Sequence, residues 1–99
     1  MAEILTSEEL LTKVKNALGV SGTYQNDTLN VYIDEVKSVM LMAGVSENVV
    51  NSSVAVGIIS RGVADLWNYG AGTTDLSSYF HQRLTQLVLN EAGNKEVSV

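Results

Sequence analysis

His81 is the single histidine of this 99-residue chain. A histidine works as a base or as a metal ligand only when partners orient it, and Phe80-His81-Gln82-Arg83 offers none, so it reads as an exposed helix residue. The chain has no cysteine, which excludes disulfides, thiolate metal sites and cysteine nucleophiles. Serines and aspartates are plentiful, but nothing in their spacing groups them with His81 as nucleophile, base and orienting group. Asp34 and Glu35 are neighbours in sequence. On a helix adjacent side chains point about 100° apart, so this pair suits a solvated face better than a shared proton or a metal clamp. Gly70-Ala71-Gly72-Thr73-Thr74 has the glycines of a phosphate loop. It lacks the lysine and the GxxxxGK[ST] spacing, and no strand precedes it, so it reads as a turn. No catalytic residue, cofactor site or metal site is expected, and the chain is not expected to be an enzyme.

Charge narrows the partners. The formal net charge is −5, from six Lys/Arg and eleven Asp/Glu. Phosphate backbones are bound by clustered cations that displace counterions. Lys13, Lys15, Lys37, Arg61, Arg83 and Lys95 are instead dispersed, so neither DNA binding by charge attraction nor polybasic membrane attachment is expected. The start, MAEILTSEELL, lacks the charged segment and apolar run of a signal peptide. Apolar runs fall short of the roughly 20 residues that a membrane helix needs. Asn26-Asp27-Thr28 and Asn51-Ser52-Ser53 match the glycosylation sequon, and without a secretory signal both read as coincidence.

The elements that must carry any function are helical. A first helix is expected over Ser7–Leu18, capped by Thr6 or Ser7 with capping-box spacing to Glu9 and closed by Gly19. Its stripe is Leu10, Leu11, Val14, Ala17 and Leu18. After a polar loop, Asp27 is expected as the N-cap of a second helix. Leu29, Tyr32, Ile33, Val36, Val39, Met40 and Ala43 make its apolar face, and Gly44 stops it. Leu41 and Met42 fall outside that stripe. A third helix is expected to restart at Ser46 and run unbroken to Tyr69. It is apolar almost all round, with one narrow polar stripe of Ser53, Gly57, Arg61, Asp65 and Asn68. Gly57 and Gly62 each cost about 1 kcal/mol against Ala inside a helix, which suggests that another backbone comes close. A short fourth helix is expected around Leu76–Leu87, with Leu84–Leu89 ambiguous between helix and strand. Residues 90–99 are polar and patternless. The expected fold is therefore all-α: a bundle of about four helices in a domain spanning residues 1–89, followed by a flexible C-terminal tail.

Four of the six aromatics stand near one end of that third helix and just beyond it. Trp67, Tyr69, Tyr79 and Phe80 are expected to be structural anchors, because rings supply large buried areas. Leu41 and Met42 are expected to form a subunit interface, since apolar side chains left off the intramolecular face commonly mark association surfaces. Arg61 and Asp65 are expected to register neighbouring subunits there, with a pair inside one helix at four-residue spacing as the local alternative.

These residues also resemble a family. The entry Gly44-Val45-Ser46-Glu47, the apolar helix, "SRGVADLWNYGAG" and "LSSYFHQRLTQL" together resemble the small head–tail connector proteins of long-tailed double-stranded DNA phages and prophages, also called head-completion or adaptor proteins. The likeness spans about residues 5–89. It implies an all-helical virion subunit that assembles as a ring beneath the portal protein, matching the portal's twelvefold symmetry. The ring would extend the DNA channel toward a tail-side completion protein, with DNA passing through without specific binding. The implied location is the virion head–tail interface, reached after assembly in the host cytoplasm. A ring needs two different adhesive faces on each subunit. The reading from another class is an acidic, small helical regulatory protein that binds another protein and needs no self-associating face.

Overall fold

A computed structural model of the chain describes residues 3–69 and 78–97, with the side chains of Tyr69, Tyr79 and residues 91–97 set aside. The described elements, in chain order, are α1 (Ser7–Leu18), α2 (Asn26–Met42), α3 (Glu47–Val50), a 3-10 turn η1 (Ser53–Ala55), α4 (Val56–Tyr69) and α5 (Ser78–Val97). The fold is all-α, as expected, and the described residues form no strand beyond a single bridge between Ile4 and Ser52.

α1 begins where its sequence says it should. Thr6 is the N-cap: its hydroxyl accepts from the Glu9 N–H at 3.1 Å, and its own N–H donates to Glu9 Oε1 at 2.9 Å. The helix closes at Gly19 in the left-handed region, φ 72°. There the Val20 N–H reaches back to the Lys15 carbonyl at 2.9 Å, the closure that a left-handed residue permits. Lys15 then ties down the loop to α2, its Nζ donating to the Gly22 carbonyl and to Asn26 Oδ1. Because Asn26 is drawn into that clasp, α2 starts two residues earlier than its sequence suggested, at Asn26. Gln25 is the N-cap, without a side-chain cap bond. Asp27 stands in the first turn instead, where its charge faces the positive end of the helix dipole.

The expected unbroken third helix is the main correction. Helix stops at Val50 and resumes only through η1. Ser52 is extended, φ −102° and ψ 166°. Residues 3–5 fill the break, with the Leu5 N–H donating to the Asn51 carbonyl and the Ser53 N–H donating to the Glu3 carbonyl, each at 2.8 Å. Asn51 Nδ2 donates to the Glu47 carbonyl and Ser52 Oγ to the Val49 carbonyl. Short polar side chains that bond nearby backbone in this way compete with helix continuation.

α4 is the centre of the bundle, with α1, α2 and α5 all packed on it. Its Ile58, Ile59, Val63 and Leu66 join Leu10 and Val14 of α1, Leu29, Ile33, Val36 and Met40 of α2, and Phe80, Leu84 and Leu87 of α5 in one continuous core. Leu84–Leu89, ambiguous by period, is helical. The backbone of α5 continues as helix past Asn90 to Val97. The side chains of the expected tail lie outside the described residues from residue 91 onward, as do the backbone and side chains of the expected Gly70–Thr74 turn.

Candidate functional site

The residues with chemical potential are scattered. His81 is exposed on α5, its ring edge-on to Phe80 at 5.5 Å. Asp34 and Glu35 are both exposed on α2. Among the described residues no group of three or more His, Asp or Glu side chains could hold a metal ion, and no helix is long and apolar enough to cross a membrane. The two sequon asparagines are occupied in the fold: Asn26 by Lys15, and Asn51 by Lys37, whose Nζ donates to Asn51 Oδ1 at 3.0 Å. Glu9 titrates below its ordinary range. The Thr6 backbone N–H, then the Thr6 hydroxyl, hold its carboxylate below the ordinary 4.5. That is a helix cap, not a reaction centre.

The expected association surface is more informative. α2 turns Leu29, Ile33, Val36 and Met40 into the core, which sends positions 31, 35, 38 and 42 outward. Met42 is 88% exposed and Leu41 45%. The chain then leaves the helix at Gly44, φ 106°, with the Val45 N–H closing back on the Met40 carbonyl at 3.1 Å. Met42 therefore projects from the last turn of a well-anchored helix.

Arg61 and Asp65 are brought together within α4. Arg61 Nε lies 3.8 Å from Asp65 Oδ1, at four-residue spacing. The Asp65 side chain is only 5% exposed, against 48% for Arg61. The polar stripe read from the sequence is thus interrupted: Ser53, Gly57, Arg61 and Asn68 face out while Asp65 is buried. Only Arg61 of this pair is placed to meet a neighbour.

The expected anchors divide. Phe80 is fully buried. Trp67 is partly buried and packs edge-to-face on Tyr32 of α2, with ring centroids 6.4 Å apart and planes at 83°. The side chains of Tyr69 and Tyr79 lie outside the described residues.

A groove that apolar spacing does not reveal opens between η1 and α5. Val54 of η1, Ile58 of α4 and Leu87 of α5 form its apolar floor, and Arg83, Gln86 and Asn90 line it from α5, enclosing about 260 Å³. Val54 is 54% exposed beside it. Only the Asn51-Ser52-Ser53 run hinted at it, because the groove exists only where the chain turns out of helix and lifts Val54 toward α5.

Compared with known proteins, the chain matches no family model, no curated protein and no solved structure.

Proposed function

We propose that this chain is a structural adaptor of the head–tail connector type. It assembles as a ring of twelve beneath a portal protein and extends the DNA channel toward a tail-side completion protein. The observation that carries the reading is Met42, a long apolar side chain left 88% exposed beside Leu41, on a helix whose opposite face is fully engaged in the core. Methionine adapts its shape to a partner surface and is favoured where subunits meet. The resemblance of the segment around Ser60–Gly72 and Leu76–Leu87 to head-completion proteins supplies the partner.

Charge supports the same reading. With a net charge of −5 and dispersed cations, the chain offers DNA no counterion-releasing surface, which suits a conduit that DNA must slide through. The place of action is the virion head–tail interface, with the subunit made and assembled in the host cytoplasm. No reaction and no cofactor are assigned.

The test is co-assembly. The purified chain is mixed with the portal protein encoded in the same genome, and mass and symmetry are measured by native mass spectrometry and electron microscopy. A portal-bound ring supports the proposal. A chain that stays off the portal overturns it.

A further inference from the structure

We infer that the outer face of α2 docks, through Met42, into the groove between η1 and α5 of a second copy of this chain. The inference rests on the connector reading for the number of copies, but the contact itself concerns only this chain.

Both halves of the contact are on one molecule: Met42 and Val54 are exposed, Ile58 and Leu87 are the core residues beneath the groove, and Arg83 crosses it with Nη1 donating to Gln86 Oε1 at 3.1 Å. The knob is Met42, 88% exposed. The hole is the groove floored by Val54, Ile58 and Leu87. Apolar surface of this kind is stabilised by leaving water, and a flexible thioether side chain suits an irregular, open groove.

Charge selects the occupant. Residues 3–50 carry Glu3, Glu8, Glu9, Asp27, Asp34, Glu35 and Glu47 against Lys13, Lys15 and Lys37. Around the groove the balance reverses: from Ser78 to Asn90 there is no acidic residue, the basic ones are His81 and Arg83, and Arg83 lines the groove. Glu35 lies seven residues before Met42 on the same outward stripe, about 10 Å away at 1.5 Å per residue. Arg83 lies four residues before Leu87, about 6 Å away, and its long side chain covers the difference. With α2 of one copy laid parallel to α5 of the other, Met42 enters the floor as Glu35 meets Arg83. The groove thus favours an acidic, methionine-bearing helix, and this chain supplies one. Because knob and groove are different surfaces, the contact is head-to-tail and propagates from copy to copy.

The chain has no cysteine, so engineered thiols report the contact cleanly. Met42→Cys and Val54→Cys proteins, mixed without portal and oxidised, should form a mixed disulfide dimer several-fold more readily than a Lys13→Cys and Val54→Cys mixture. Glu35→Arg in the Met42→Cys protein should suppress that product, and Arg83→Glu in the Val54→Cys protein should restore it. A mixed yield equal to the control, or Met42→Cys pairing mainly with itself, overturns the inference. Cross-linking without portal binding would keep this contact and remove the connector reading. Portal binding without cross-linking would do the reverse.

Discussion

Gly62 of α4 lies against Phe80 of α5 so closely that a methyl on its Cα would stand 2.9 Å from Phe80 Cε1. It would also stand 2.9 Å from both γ-carbons of Val36 on α2. Real Cβ atoms do not approach so near, and all three groups belong to the closed core. Gly62→Ala should therefore destabilise the fold by about 1–3 kcal/mol through overpacking. Gly57 is the internal control: it is exposed and a methyl there meets nothing within 4 Å. Gly57→Ala should stabilise by up to about 1 kcal/mol. Thermal unfolding of both variants checks the pair, and shifts of equal sign would contradict this packing of α2, α4 and α5.

Trp67 holds α4 to α2 by its edge-to-face contact with Tyr32. Since Trp67 is only partly buried, Trp67→Ala should cost less than the roughly 3–5 kcal/mol of a full core truncation. A double-mutant cycle with Tyr32→Ala should return a coupling of about 0.5–1.5 kcal/mol. A coupling of zero would mean that the rings merely lie near one another.

The Thr6–Glu9 capping box gives a pH signature. Glu9 titrates lower in the folded chain than its ordinary 4.5 because it accepts from the Thr6 N–H and then the Thr6 hydroxyl. A depressed acid stabilises the fold above its unfolded value, and that contribution disappears as pH falls from about 4.5 through the folded value. Glu9→Gln should flatten this part of the stability profile, measured by denaturant unfolding between neutral and acidic pH. Thr6→Ala should cost about 1 kcal/mol at neutral pH. A Glu9→Gln profile as steep as the parent's would assign the acid sensitivity elsewhere.

Much of this architecture is legible in the sequence, and the exceptions share a cause. α1 and α2 announce themselves through local chemistry, Thr6 with Glu9 and the three- and four-residue spacing from Leu29 to Met40. The exposure of Leu41 and Met42 follows from the same periodicity. The break at Asn51–Ser52 does not, because apolar spacing runs straight across it and the residues that fill it, Glu3 to Leu5, are distant in sequence. Asp65 reads as surface from its spacing with Arg61, yet it is buried, because helix phase alone says nothing about which neighbours close over a polar stripe. Gly57 and Gly62 look alike in sequence and differ only in what α2 and α5 bring to them. The groove at Val54 required the break, so it was hidden with it.

Duplex DNA should not bind this chain appreciably at physiological salt, since its six cations are spread over a molecule of net charge −5. Fluorescence anisotropy with a labelled duplex across a salt series checks this. Sub-micromolar, salt-sensitive binding would point instead to a cationic surface that the sequence does not suggest.

α2 is expected to present Met42 as an assembly contact of a portal-bound ring. The most direct measurement compares the parent, Met42→Asp and Thr12→Asp, an exposed α1 position given the same change of charge, each mixed with the portal protein after circular dichroism has shown intact helix. Native mass spectrometry should find twelve subunits on the portal for the parent and for Thr12→Asp, and no ring for Met42→Asp. Equal assembly by all three would remove Met42 from the interface, and absence of assembly by the parent would remove the connector function itself.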